Sequence, residues 1–154
     1  MMNSIELKIP PPIVFLIFSG IMWAISQAIP DVAISLEMKK IGFFLIILIA
    51  VATGAAGVYA FRKANTTVNP HRPDLSSSLV TSGIYRYTRN PMYLALALLL
   101  IAWAIYLSNV VSLLCVPGFI FYITRFQIIP EESKLTELFG QAFLDYQRQV
   151  RRWI

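Results

Sequence analysis

The segment Ser82–Leu100, SGIYRYTRNPMYLALALLL, decides how this chain is read. Two arginines, three tyrosines and an Asn-Pro pair run without a break into residues that belong in lipid. The neighbouring sequence repeats the apolar theme. Pro12–Ile29 is a run of about 18 residues without formal charge, Ile41–Phe61 one of about 21, and Met92–Tyr122 one of about 31. A helix needs roughly 20 apolar residues to cross a bilayer. The last run is therefore read as two spans, joined by a tight turn at Ser108-Asn109. The whole chain of 154 residues is 57% hydrophobic and 14% charged, outside the range of soluble domains.

These patterns predict an all-α integral membrane bundle forming a single domain, with about four transmembrane helices at 12–29, 41–61, 92–107 and 110–128. The first span is read as a retained helix rather than a cleaved signal. Pro10-Pro11-Pro12 opens it, the preceding residues are not rich in basic side chains, and no small-x-small site follows it. Cys115 falls inside the last span, where a lone thiol serves as a small buried hydrophobe.

Basic residues orient the bundle. The central loop carries Arg62, Lys63, Arg72, Arg86 and Arg89 against Asp74, whereas the opposite side holds Lys39 and Lys40 against Asp31 and Glu37. The positive-inside rule then places the central loop and both termini in the cytoplasm, with the bundle in a bacterial-type inner membrane. The net charge of +5 is accounted for by that asymmetry, so nucleic acid is not an expected partner.

Small residues, Ala52, Ala56 and Ala60 with Gly54 and Gly57, mark the end of the second span. They suit close helix packing or room for a ligand, and packing is the preferred reading. Asn90 reads as a helix N-cap and Pro91 as a first-turn residue. Pro130-Glu131-Glu132 reads as another helix start, its carboxylates favoured by the helix dipole. From 131 to 152, Leu135, Leu138, Phe139, Ala142, Phe143, Tyr146, Val150 and Trp153 recur at three- and four-residue spacing, predicting an amphipathic cytoplasmic helix.

The loop of about 62–91 is long for a connection without structure of its own. Polar side chains concentrate in it and just after the last span, at Asn69-Pro70-His71-Arg72, Gly83–Tyr93 and Glu131-Glu132. A short hairpin brings Pro91 close to Pro130, and so Arg89 and Asn90 close to Glu131 and Glu132. Charges at the edge of hydrocarbon are costly unless paired or used. The set suits a zwitterionic cofactor, with arginine for its carboxylate and glutamate for its ammonium or a ribose diol. No phosphate-binding glycine loop, zinc motif or hydrolase triad is present, and a single histidine does not build a metal site.

With these residues in place, the chain resembles the isoprenylcysteine carboxyl methyltransferase and phospholipid methyltransferase superfamily, over roughly residues 65–154. The motifs that carry the resemblance are Arg89-Asn90-Pro91, Glu131-Glu132, Leu79–Tyr85 upstream and Phe139-Gly140, Tyr146 and Val150-Arg151 downstream. The resemblance implies methyl transfer from S-adenosyl-L-methionine to a lipid-embedded acceptor at the cytoplasmic face. That acceptor is a prenylcysteine-like carboxylate or thiol, or a lipid amine. By the same resemblance Arg89, Asn90, Pro91, Tyr93, Glu131 and Glu132 line the cofactor site. Val80, Thr81 and Gly83 with Tyr85 hold the adenine, and His71 and Arg151 are further candidates. Arg89 and Glu132 are the catalytic nominees, Glu132 as base for an amine acceptor. Positioning and desolvation supply much of the rate of such a transfer. Two departures stand out: Asn90 replaces the family's histidine, and Phe143 replaces a common tyrosine. The competing readings are a nicotinamide-dependent membrane reductase on a related scaffold, and a non-catalytic membrane protein whose Arg and Glu residues lock helices together.

Overall fold

A computed structural model describes residues 7–30, 33–64 and 79–154. The described residues contain helices and no strand. Helix α1 spans Pro11–Ala28, α2 Leu36–Lys63 and α3 Pro91–Leu107, with a 3-10 turn at Gly83–Arg86 before α3. Helices α4 (Val110–Leu113) and α5 (Cys115–Ile123), a π-helical turn (Thr124–Ile128) and α6 (Ile129–Phe139) follow in one rod, and α7 (Gln141–Gln149) is the last helix, followed by a short tail. Among the described residues, three stretches are long and apolar enough to cross a membrane: Pro11–Ala28, Leu36–Lys63 and the composite Val110–Phe139. Helix α3, at 17 residues, is a shorter apolar helix. The protein is a helical membrane bundle.

Helix α3 is apolar on every side, as befits the central member. Helix α2 packs along one flank of it and α1, α4 and α5 along the others. The α2–α3 pairing is antiparallel and rests on missing side chains. A β-carbon on Gly42 would meet Ile105 at 3.6 Å, one on Gly54 would meet Ala95 at 3.4 Å, and one on Gly57 would meet Pro91 at 3.1 Å. Packing is thus the role of Gly54 and Gly57, while Ala52 faces outward. On the other flank Phe119 is fully buried against Leu100, Met22 and Val14, with Phe18 edge-on to its ring at 5.7 Å.

The α3–α4 turn falls at Ser108-Asn109, as the sequence implies. Ser108 adopts φ 53°, and the Asn109 side chain accepts from the Ser112 amide at 2.9 Å. Asn109 Nδ2 also donates to the Ile29 carbonyl (3.0 Å) and Ser112 Oγ to the Met22 carbonyl (2.9 Å), stapling the hairpin to α1. Buried polar groups in a membrane protein must find such partners.

Two expectations are corrected. Pro130 does not begin a helix, since α5, the π turn and α6 are continuous around it. A proline inside a helix leaves the carbonyl four residues earlier without its donor. Here that carbonyl, on Phe126, accepts instead from the Leu7 amide at 3.1 Å, and Gln127 Nε2 donates to the Ile9 carbonyl at 2.7 Å. The segment before α1 thereby repairs the ladder. The second correction concerns the single helix expected over 131–152. It breaks at Gly140 (φ 53°, ψ −128°), a conformation that glycine adopts without side-chain strain, and it ends at an extended Val150.

The glycine contacts generate a contrast. Gly57→Val drives a branched side chain into Pro91 and lowers unfolding stability in detergent by about 1–3 kcal/mol. Gly54→Ala makes an ordinary contact and is neutral, or stabilising by up to ~1 kcal/mol. Denaturant titration of the two variants measures both, and equal effects would refute the packing assignment.

Candidate functional site

The site forms where the start of α3, the composite rod and the C-terminal residues converge. Gly83 takes φ 64° and opens the 3-10 turn, which delivers a buried Tyr85 between α2 and α7. Phe61 of α2 meets the Tyr85 ring edge-on at 5.3 Å, and the Tyr146 hydroxyl donates to the Tyr85 carbonyl at 2.7 Å. Burial pushes both phenols above their ordinary range, that of Tyr85 with help from Tyr146 and Glu131, so both stay protonated. Ala60, Val80, Phe143 and Val150 complete this second core.

Arg89 is the hub. Its side chain is 9% exposed. Nη2 pairs with Glu132 Oε1 on α6, and Nη1 donates to the Gln147 carbonyl (3.0 Å) and the Val150 carbonyl. Its backbone amide donates to the Arg151 carbonyl at 3.0 Å. Arg152 wraps Glu132 from the other side, Nη2 to Oε2 at 2.7 Å and Nε to both oxygens at 3.1 Å. The hydrogen bond to Glu132 raises the pKa of Arg152. Tyr93 donates its hydroxyl to Glu131 Oε1.

The tail beyond α7 is held at several further points. Thr88 Oγ1 donates to the Arg152 carbonyl at 3.2 Å and Asn90 Nδ2 to the same carbonyl at 3.0 Å. Trp153 Nε1 donates to Thr124 Oγ1 in the π turn at 3.1 Å. Asn90 thus occupies the N-cap position of α3 without capping it through its side chain, and its amide serves the tail instead.

These elements enclose a cavity of about 80 Å³. Arg89, Asn90, Glu131 and Glu132 line its polar side, and Phe61, Tyr85, Phe139, Phe143 and Tyr146 its aromatic side. Arg89 Nε is buried without a hydrogen-bond partner. One wall therefore offers a cationic donor and a carboxylate, and the other offers ring faces that accommodate cations and flat heterocycles.

Of the residues nominated from sequence, Val80, Tyr85, Arg89, Asn90, Glu131 and Glu132 meet at this cavity. Tyr93 reaches it through its bond to Glu131. Pro91 packs on Gly57 instead, and Thr81 and Gly83 are exposed on two neighbouring grooves. The Arg151 side chain is exposed, and only its carbonyl takes part. His71, with the rest of 65–78, lies outside the described residues. Sequence reasoning missed Arg152 and, apart from Tyr85, the aromatic wall. Phe139, Phe143 and Tyr146 were legible as the apolar stripe of an amphipathic helix, a pattern that does not separate core from binding wall. Phe61 and Arg152 carried no signal beyond their span-end and helix-face positions.

Comparison with known proteins gives this geometry a family. The phospholipid methyltransferase family model matches residues 38–142, two thirds of the chain. Over 63 residues, 41% of this chain and all of the relative, it is 44% identical to a Haemophilus influenzae protein that bears the name "Uncharacterized protein". It is 30% identical to the protein-S-isoprenylcysteine O-methyltransferase of Xenopus laevis over 124 residues, 79% of this chain and 42% of that enzyme. With the Tribolium castaneum enzyme of the same name the identity is 39% over 77 residues, 47% of this chain and 26% of that enzyme. The chain thus spans less than half the length of these two methyltransferases. The matched region carries both the Arg89-Asn90-Pro91 and Glu131-Glu132 motifs that frame the cavity, and the chain belongs to the phospholipid methyltransferase family.

Proposed function

We propose that this protein is a membrane methyltransferase that uses S-adenosyl-L-methionine and methylates an acceptor dissolved in the bilayer. One observation carries the reading: a cavity at the end of the bundle where Arg89 presents an unpaired buried N–H, Glu131 a carboxyl group, and five aromatic residues much of the apolar wall. Arg89 suits the cofactor's α-carboxylate, and Glu131 its ammonium or sulfonium. Tyr85, Phe143 and Tyr146 suit its flat base. The enclosed volume of about 80 Å³ accommodates the amino-acid head, and sites that enclose whole small ligands run from roughly 300 Å³ upward. Admission of the nucleoside therefore requires the cavity to widen.

When bound, the cofactor supplies an electrophilic methyl on sulfur. The chain's own residues grip the polar head, fix its direction and exclude water with Ile128, Leu135 and Phe139. A carboxylate or thiolate acceptor needs no base. An amine acceptor does, and the geometry favours Glu131 over the earlier nominee Glu132. Both oxygens of Glu132 already accept from guanidinium groups, whereas Glu131 accepts from Tyr93 alone among the described residues. The Xenopus and Tribolium relatives are named for O-methylation of S-isoprenylcysteine. For this chain we carry over the class only, a methyl acceptor with a lipid tail. The excess of arginine and lysine on the site's side supports a cytoplasmic face for the site and for both termini.

A second reading has its own observation. Arg89, Asn90 and Glu132 commit most of their hydrogen bonds to the protein's tail, as a purely structural lock would.

Detergent-purified wild type is expected to bind S-adenosylhomocysteine saturably in calorimetric titration. Glu131→Gln keeps an acceptor for Tyr93 yet removes the carboxyl group, and it weakens that binding by about tenfold or more with unfolding unchanged. Absence of binding to folded wild type would leave the structural lock in possession. Glu132→Ala uncouples two guanidinium groups and costs roughly 3–5 kcal/mol of stability, measured by denaturant unfolding. An E132A protein as stable as wild type would show that the pairing locks nothing.

A further inference from the structure

We propose that Arg152 is a positioning residue for the cofactor's carboxylate: it takes the larger share of Glu132, leaving the guanidinium of Arg89 a charge and a donor to present inside the cavity. The proposal rests on the methyl-transfer reading and adds a residue to it.

The argument begins with charge. Glu132 contributes one negative charge, and Arg89 and Arg152 contribute two positive ones. Three of the four hydrogen bonds that reach the Glu132 carboxylate from these guanidiniums come from Arg152, through Nε and Nη2. Arg89 reaches it through Nη2 alone. The other bonds of Arg89 go to neutral carbonyls, those of Gln147 and Val150. The surplus positive charge of the trio is thus not cancelled within it.

The position of that surplus follows from burial. Arg152 is 41% exposed, so water screens its outer face, whereas Arg89 is 9% exposed. Arg89 is the one cationic side chain among the described residues that line the cavity, and its Nε lies buried without a partner. Buried donors nearly always find an acceptor. An anionic group entering this cavity has Arg89 to meet, and the acceptor it brings completes the guanidinium.

Removing Arg152 changes this without touching the cavity wall. Glu132 then has Arg89 as its remaining cation, in a geometry free to become a two-pronged pair. The wall then carries one positive charge fewer than in wild type and holds a carboxylate less well. The α-amino acid end of the cofactor is affected; the nucleoside end is not.

Two probes separate these ends. S-adenosylhomocysteine carries the amino-acid carboxylate, and 5′-methylthioadenosine has the same thioether nucleoside without it. Each is titrated by calorimetry, and by ligand-dependent thermal shift up to millimolar concentration, into wild type, Arg152→Gln and Arg152→Lys. R152Q is expected to weaken S-adenosylhomocysteine by about tenfold, the size of one charge-assisted contact, while methylthioadenosine stays within about twofold. R152K, which keeps a charge on Glu132, recovers part of the loss. Equal weakening of both probes assigns Arg152 to tail packing and overturns the proposal, as does unchanged binding of S-adenosylhomocysteine. Wild type that binds neither probe removes the methyl-transfer reading, and this inference with it.

Discussion

The Arg89 guanidinium is the constraint on which the site end of this molecule depends. It stands one residue before the Asn-Pro entry to α3, and a single planar group ties α3 to α6 through Glu132 and to α7 and the tail through two backbone carbonyls. A flexible ammonium has no fork with which to reach three elements in fixed directions. Burial makes the arrangement stringent. A guanidinium this enclosed needs a carboxylate beside it, and Glu132 is equally enclosed and equally in need. The pairing fixes where α6 stands relative to α3. Everything that α6 carries, including Glu131, is positioned as a consequence.

The rod that bears Glu132 reaches this place through a π turn. Five residues, Thr124–Ile128, take the wider winding, and Pro130 follows one residue after it. The added residue per turn rotates α6 relative to α5, and π turns occur often at functional sites. Both chain ends brace it, Leu7 and Ile9 from the front of the sequence and Trp153 from its end. The lipid-facing part of the rod and its site-facing part therefore hold different registers, and this lets one continuous helix serve both environments.

Much of this was legible in the residues, and the remainder was hidden for identifiable reasons. Long uncharged runs declare membrane helices because lipid tolerates nothing else, and the Ser108-Asn109 turn stood out as the polar interruption of one such run. The approach of Arg89 to Glu132 followed from the shortness of that hairpin. The C-terminal half of the site was less accessible. A three- and four-residue apolar repeat persists across Gly140 and past Val150, so periodicity does not see that the backbone breaks at one and straightens at the other. That straightening turns Arg152 inward and Arg151 outward, and neighbouring arginines of identical chemistry do not announce which is which. The π turn had no composition of its own. Its trace was Pro130, whose missing amide reads equally well as a helix start.

The departure at position 90 is where motif and geometry inform each other. The superfamily pattern places histidine there, and asparagine looks like the loss of a titratable group. In this structure the side chain at 90 donates one hydrogen bond, Nδ2 to the Arg152 carbonyl, while the Asn90 backbone amide donates to Thr88 Oγ1 at 3.2 Å. A neutral imidazole and a carboxamide can each direct an N–H at this carbonyl, so the requirement met here is for a donor and not for a proton carrier. The carbonyl it holds belongs to Arg152, the same residue whose guanidinium covers Glu132. Asn90 fixes the backbone of that residue, Glu132 fixes its side chain, and Thr88 Oγ1 adds a second bond to the same carbonyl. One end of the tail is thereby defined at three points. A substitution that preserves the donor preserves this geometry, and asparagine at 90 is consistent with a cavity that has kept its charge arrangement.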